Sequence, residues 1–438
     1  MKSKINKTDL ASSESNKLDS STIANEGKGF SRRSFLSSVG VGGAVVLGLQ
    51  SGCKGGGDSE TAKKEPPKMQ GFDETVDESN LSKGWVSVSD RKVRVGLVGF
   101  GVSKFSAAFG FQNHPNVEGV AVSDLFPDRC TALAEKVNCK KTYPSLEEMV
   151  KDDNIEAIFL ATDAPSHARH CIEVLKHGKH VAVAVPATFG SIEEGEELLE
   201  VVKKTGLKYM MFETSCFREN LFAMRQIYNA GGLGKLVYSE GEYWHYSEKG
   251  IDSYKGWRDG MPPQWYPTHS NAYYVGVTGG HFTEVSCLGV PSPMERYKNN
   301  KYKNPFATEI AMFRTSEGGI SRMSRSSDTP GNSGEIGRVR GLKGSYYLQY
   351  EGLEKNLPDV SRPPLPPGVP AGGHGGSHGF LMNEFILSIL QDRKPLVDIA
   401  TALNLTISGI VAHESAMKNG EWLKVPHYTF ESNSKSAV

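Results

Sequence analysis

The chain has 438 residues, and its 50 Lys plus Arg balance its 50 Asp plus Glu to a formal net charge of zero. That length accommodates two domains behind a leader. The balanced charge, with no Lys/Arg block, excludes an electrostatic nucleic-acid binder, and no run beyond Leu49 reads as a bilayer-spanning helix.

Ser31-Arg32-Arg33-Ser34-Phe35-Leu36 precedes a Gly-rich apolar run, Val39 to Leu49, that is too short to span a bilayer. Twin arginines ahead of a mild hydrophobic segment mark the export route for folded proteins, which makes the twin-arginine machinery an expected partner. Leu49-Gln50-Ser51-Gly52-Cys53 resembles a lipoprotein cleavage box, with Cys53 as the candidate lipidation residue, although Gln50 stands where an aliphatic residue is usual. Residues 1–53 therefore read as a signal peptide. Residues 54–91, with Gly55-Gly56-Gly57 and Pro66-Pro67, read as a flexible linker. The expected location is periplasmic, or membrane-anchored through Cys53. The other cysteines (Cys130, Cys139, Cys171, Cys216 and Cys287) are odd in number, lack metal spacing and read as small core residues.

From Lys92 the pattern alternates between strands and helices. Val93–Val98, Val117–Ser123, Ile155–Ala161, Val181–Val185 and Tyr209–Phe212 are short apolar runs expected as strands. Helices are expected from Val102 to Asn113, from His167 to His177 and from Ser191 to Thr205, the last opened by Ser191 and Glu194 and closed by Gly206. Ser145 and Glu148 form a further capping box. Near-continuous apolar strands in such units predict a Rossmann-type, doubly wound parallel sheet over residues 92–213. Beyond Glu213 the rhythm breaks. Leu236–Tyr246, Phe306–Phe313, Ile320–Met323 and Ser345–Tyr350 suggest an open, mainly antiparallel sheet in a C-terminal α+β domain, residues 214–438, serving substrate binding and homo-oligomer formation. A Pro/Gly-rich stretch, 352 to 378, leads to two closing helices. One carries Leu381, Phe385, Ile386, Ile389 and Leu390 on one face, and the other runs from Asp398 to Gly420.

Gly99 and Gly101 follow the first strand directly, as a dinucleotide turn requires. The first glycine allows the bend, and the second lets a pyrophosphate approach the backbone near Val102 and Ser103. Lys104 occupies the third glycine position, so the fingerprint is incomplete. Asp124, ending the second strand, suits the ribose hydroxyls and favours NAD over NADP. Arg129 close by keeps NADP open.

In motif order the chain resembles the glucose–fructose oxidoreductase/inositol dehydrogenase/MocA (Gfo/Idh/MocA) family, from about Lys92 to about Val425. Ala161-Thr162, His167 and Gly178-Lys179-His180-Val181 match its central segment, and the resemblance implies cofactor-binding positions at Thr162, His167 and Pro186. The family usually continues Glu-Lys-Pro, its lysine assisting proton transfer, whereas this chain has Ala184-Val185-Pro186. Val185 cannot move a proton, so another group must supply the base or catalysis is lost.

Trp265-Tyr266-Pro267-Thr268-His269-Ser270 is similar to the subgroup that contains NAD-dependent retaining glycosidases, including α-N-acetylgalactosaminidases. Val185-Pro186-Ala187 and Met210-Met211 point the same way. The resemblance implies a catalytic histidine and tyrosine at His269 and Tyr266. Imidazole suits acid/base work near neutrality, and Tyr266 would donate to the sugar, or deprotonate it if its pKa were lowered. Arg258, Tyr243 and His245 are candidate substrate-binding residues for a small carbohydrate. Each also has a structural reading, as an ion-pair or sheet residue. Gly373-His374-Gly375-Gly376-Ser377-His378 has the look of a metal motif, but without thiol or carboxylate partners at suitable spacing it reads as a loop approaching the site or a helix entry, and no metal is expected.

The expected activity is an exported NAD(P)-dependent oxidoreductase acting on a sugar. The alternatives are a glycosidase using transient oxidation, elimination and water addition, and a catalytically silent nucleotide- and sugar-binding protein.

Overall fold

The computed structural model describes residues 78–332 and 334–431. The twin-arginine segment, Cys53 and the linker as far as residue 77 lie outside the described residues. Strands β1 (Val93–Val98), β2 (Val117–Ser123), β3 (Thr142–Tyr143), β4 (Ala157–Leu160), β5 (His180–Ala184) and β6 (Tyr209–Phe212) form a parallel sheet in the order β3-β2-β1-β4-β5-β6. All four residues of β4 and of β6 are buried, as expected of strands covered on both faces. The strand order reverses at β1, and a ligand crevice opens beyond the carboxyl ends of β1 and β4 in such sheets.

Helix caps explain where the crossover helices begin. The Ser145 hydroxyl accepts from Glu148 N before α3 (Leu146–Met149), and Ser191 accepts from Glu194 N before α5 (Ile192–Thr205). Gly206, at φ 67°, ends α5. The helix expected from Val102 to Asn113 is instead one turn, α1 (Phe105–Ala108), followed by a 3₁₀ turn at Phe111–Asn113. Positive φ at Lys104 and Gly110 breaks it at both ends. The linker expected to run to residue 91 is docked in its last part. Leu81 O accepts from Leu365 N, and Ser89 O and Arg91 O both accept from Asn116 Nδ2.

The second sheet has eight strands in the order β13-β12-β11-β7-β10-β9-β8-β14. Its central members are β7 (Leu236–Trp244), β8 (Phe282–Pro291), β9 (Phe306–Thr315), β10 (Ile320–Ser326) and β11 (Gly334–Gly341), and only β7 and β10 pair in parallel. The strand expected at Ser345–Tyr350 is a hairpin, β12 (Gly344–Tyr346) and β13 (Tyr350–Gly352). The edge strand β14 is Leu423–Lys424.

Helix α7 (Thr268–Thr278) lies on this sheet across a row of small residues. A Cβ on Gly241 would collide with Ser270 O, and one on Gly337 with the Tyr273 ring. Both glycines are there for close approach rather than for a turn. The closing helices α9 (His378–Leu390) and α10 (Ile399–Met417) fall where the apolar pattern placed them. All five described cysteines are buried.

Candidate active site

A cavity of about 1060 Å³ runs along the carboxyl ends of β1, β2 and β4 and is lined by Gly99, Gly101, Val102, Ser103, Asp124, Thr162, His167, Val185, Trp257, Arg258 and Tyr266, among others. Gly99 turns at φ 92°, and a Cβ there would strike the Ala161 carbonyl oxygen. Both Asp124 oxygens engage backbone donors, Phe100 N at 2.6 Å and Phe126 N at 2.9 Å, which fixes the glycine turn beside the carboxylate. Arg129 stacks on Phe126, 4.4 Å from its centroid. Gly99→Ala is therefore expected to cost about 1–3 kcal/mol in backbone strain and to lower NAD affinity at least about tenfold. Fluorescence titration with NAD, beside a melting curve, checks both.

His167 is buried, with Nδ1 2.8 Å from Pro186 O and Nε2 3.3 Å from Thr162 O. It clamps the end of β4 to the Val185-Pro186 segment, whose peptide bond is cis. Pro186 thus takes part through its carbonyl, and Ala184 and Val185 are the residues that face the cavity.

A second, small cavity adjoins the first. Its lining is Phe105, Phe109, Ala184, Val185, Phe212, Thr214, Tyr266, His269 and His374. Two histidines face each other there, with ring centroids 6.4 Å apart, and their environments differ in sign.

His269, second residue of α7, is buried. Its Nδ1 lies 2.8 Å from Glu213 Oε1 and 3.4 Å from Glu335 Oε1. Burial pulls its pKa down, but the two carboxylates outweigh burial and the net shift is upward. Glu335 in turn meets Ser215 Oγ at 2.6 Å, Thr214 Oγ1 at 3.2 Å and Arg218 at 3.6 Å. Burial would raise its pKa, but His269, Arg218 and the hydroxyls hold it below the usual value. Glu213 follows β6 immediately and Glu335 lies on β11, so this ion-paired cluster ties the two sheets together. Glu213, His269 and Glu335 are also the one trio among the described residues whose donor atoms, all within 4.8 Å, could share a metal ion. Here His269 Nδ1 hydrogen-bonds Glu213 and ion-pairs with Glu335.

His374 sits at φ 52° inside the run Gly372–Gly376, where its neighbours Gly372, Gly375 and Gly376 also have positive φ. A histidine in that conformation is strained, and such strain is characteristic of functional positions. Its Nδ1 is 2.7 Å from His378 Nε2, and His378 Nδ1 is 3.2 Å from Ala108 O and 3.3 Å from Gly373 N. A carbonyl oxygen only accepts, so the Ala108 contact places a proton on His378 Nδ1. His378 Nε2 then accepts from His374 Nδ1, and His374 Nε2 is left unprotonated. The Gly373 contact belongs to the opposite tautomer, so a proton can shift along the pair. Burial first, then the positive groups around it, pushes the His374 pKa well down, and burial brings His378 to about 4.

Tyr266 lines both cavities. Burial raises its pKa despite Arg258 nearby, which keeps the phenol protonated and removes the option of a tyrosinate base. Trp257, Tyr266 and Tyr243 form an aromatic wall, with Trp257–Tyr266 and Tyr243–Tyr266 centroids each 6.4 Å apart. Tyr243 packs 4.6 Å from the His269 ring. His245 lies behind Tyr243, buried and pushed down to about 4 by desolvation and by Arg325 and Arg258, and neither Tyr243 nor His245 lines a cavity.

The structure thus gathers Gly99, Gly101, Val102, Ser103, Asp124, Thr162, His167, Arg258 and Tyr266 around one space and sets His269 at its inner end. Glu213, Arg218, Glu335 and Arg325 had no signal in the sequence. His374 and His378 had one, a histidine pair in a glycine run, and the expected approach of that loop to the site is what the structure shows.

Residues 93–213 match the family described as the oxidoreductase family, NAD-binding Rossmann fold. The chain is 24% identical to a glycosyl hydrolase family 109 protein of Streptomyces filamentosus, over 91% of this chain and 90% of that one. It is also 24% identical to one of Solibacter usitatus, over 77% and 88%. Among solved structures, levoglucosan dehydrogenase in complex with NADH and levoglucosan superimposes with a TM-score of 0.63 at 16% identity, covering 77% of this chain and 100% of that one. Scyllo-inositol dehydrogenase from Lactobacillus casei gives 0.61 at 17%, covering 77% and 99%.

Proposed function

Since residues 93–213 belong to the Gfo/Idh/MocA oxidoreductases and the chain is an NAD-dependent enzyme of that type, we propose that it cleaves a glycosidic bond by transient oxidation of the sugar. The observation that carries this reading is the pair of facing histidines with opposite pKa displacements. Groups pushed apart in this way are an acid and a base. A simple dehydrogenase needs one base, whereas elimination of a glycosidic oxygen needs both.

The glycine turn at Gly99 and Gly101, with Asp124 and Thr162, fits NAD, whose backbone-lined approach leaves room for a pyrophosphate. NAD held there supplies a hydride acceptor that becomes the donor again within one turnover. His374 takes the carbon-bound proton made acidic by a neighbouring ketone and passes charge toward His378. His269, protonated, hands its proton to the departing glycosidic oxygen. Tyr266 donates a hydrogen bond to the sugar, which stacks on the wall of Trp257 and Tyr266. Val185 cannot accept the hydroxyl proton freed as hydride leaves, so that proton goes to solvent in the cavity. Water then adds at the anomeric carbon, and the returning hydride is matched by a proton taken back from solvent.

The test is mass spectrometry of nucleotide released from denatured protein, followed by incubation with a glycoside panel in D₂O. Hydrolysis with deuterium at C2, the carbon next to the anomeric centre, is expected. Accumulation of keto-sugar without hydrolysis would sink the glycosidase reading in favour of a plain sugar dehydrogenase, the reading that the likeness to sugar dehydrogenases supports.

Two further parts of the proposal concern placement. The twin arginines at Arg32 and Arg33 support export, and Cys53 supports a lipid anchor. Leu288, Ile310, Met312 and Ile336 lie exposed on the outer face of the second sheet and support self-association.

A further inference from the structure

Arg325 lies in the middle of a row of side chains that crosses the second sheet. The strand registers align Glu335 on β11 with Tyr243 on β7, Tyr243 with Arg325 on β10, and Arg325 with Glu309 on β9. Partners in register share a face, and this face carries the Glu335–His269 pair. Arg325 is only 5% exposed, and its Nε and Nη1 are buried with no hydrogen-bond partner among the described residues. Its guanidinium lies 5.7 Å from the ring centroids of both Tyr243 and Tyr266. Arg258, on the cavity wall, lies 5.6 Å from the centroid of the same Tyr266 and 4.2 Å from that of Trp257.

Two cations therefore flank one tyrosine, and the carboxylates near them are committed elsewhere. Glu309, the cross-strand neighbour, accepts from Gln264 N at 2.8 Å and pairs with His413 at 2.7 Å. Glu335 pairs with His269 and Arg218, and Glu213 with His269. Asp252 and Asp163 line the same cavity and Asp259 follows Arg258 in the chain, but none of the three forms an ion pair with Arg258 among the described residues. Ring faces offset part of the cost of burying an arginine, but a cation pair without a counter-ion is costly. A planar guanidinium beside a sugar-stacking wall is suited to an oxyanion.

We propose that Arg258 on the cavity wall, reinforced by the charge of Arg325, which lines neither cavity and sits against Tyr266, forms the seat of a negatively charged substituent, a carboxylate or a sulfate ester, on the sugar that this enzyme takes. The inference rests on the sugar-active reading above and names the substrate class within it.

Calorimetric titration of the NAD-loaded full chain with D-glucuronate, D-glucose 6-sulfate and D-glucose tests it. At least one anion is expected to bind about tenfold or more tightly than glucose, and which one does so separates carboxylate from sulfate. Arg325→Gln should reduce that preference to the level of glucose, and Arg325→Lys should keep part of it. Arg258→Gln, on the cavity wall, serves if the buried variant does not fold. The nucleotide released per chain should be the same in all three variants, which separates a substrate seat from a pyrophosphate seat. Equal binding of the three sugars, binding of none, or a preference that survives both glutamine variants overturns the proposal. Hydrolysis of neutral glycosides by the same preparation would in that case leave the redox-glycosidase reading standing by itself.

Discussion

His374→Asn is expected to lose turnover by about 10²–10⁴ while keeping its fold and its NAD, since that is the contribution typical of a positioned general base. Asparagine is the informative replacement because it tolerates the left-handed backbone at φ 52°, where most side chains add strain. It leaves the Gly372–Gly376 turn intact and removes only the imidazole. His374→Gly should behave alike, and free imidazole should restore part of its activity by entering the small space bounded by Val185, Thr214 and His269. A melting temperature within a few degrees of the parent, with unchanged nucleotide content, would show that the loss is chemical. Turnover within about tenfold of the parent would remove His374 from the role of base.

His374 also shows how far the sequence could be read. The Rossmann part was legible because strands buried on both faces must be continuous apolar runs, and five of its six strands stand within two residues of their expected bounds. The sixth, Thr142–Tyr143, is too short to make a pattern. Helix α7 was not legible: Ser270, Asn271, Tyr273 and Tyr274 are all buried, so no polar face alternates with an apolar one. Strand β11 was hidden by Gly334, Gly337 and Gly341, and Gly337 is there because Tyr273 of α7 presses on it. Tyr266 and His269 could be singled out because they lie in one short run. Glu213, Arg325 and Glu335 could not, since strand register aligns Arg325 and Glu335 through Tyr243, and Glu213, 122 residues before Glu335, joins them only where the two sheets pack at His269. The missing lysine at Val185 was the one sequence sign that the base must come from elsewhere.

The second large effect concerns His269, where proton and carboxylates act as one unit. His269→Ala should lower turnover by about 10²–10⁴, and the pH profile of the parent should show why. The two carboxylates raise the folded-state pKa of His269 above its ordinary 6.5. The acid therefore stays protonated through pH 6.5, and activity falls only as pH rises through the raised value. Desolvation holds His374 below 6.5, so the base is disabled only at lower pH. A plateau spanning the ordinary histidine range follows from the two displacements. Glu335→Gln keeps the shape and one oxygen, for Ser215 or for Thr214, but deletes one charge, so the alkaline limb should move to lower pH and the acid limb should stay. The same linkage acts on stability. A raised histidine pKa stabilises the fold fully below 6.5, and that contribution is lost as pH rises through the folded value. The parent should lose melting temperature over that interval, and Glu335→Gln should lose less. An alkaline limb that does not move in Glu335→Gln would mean that His269 is not the group titrating there, because Glu335 is one of the two carboxylates at its Nδ1.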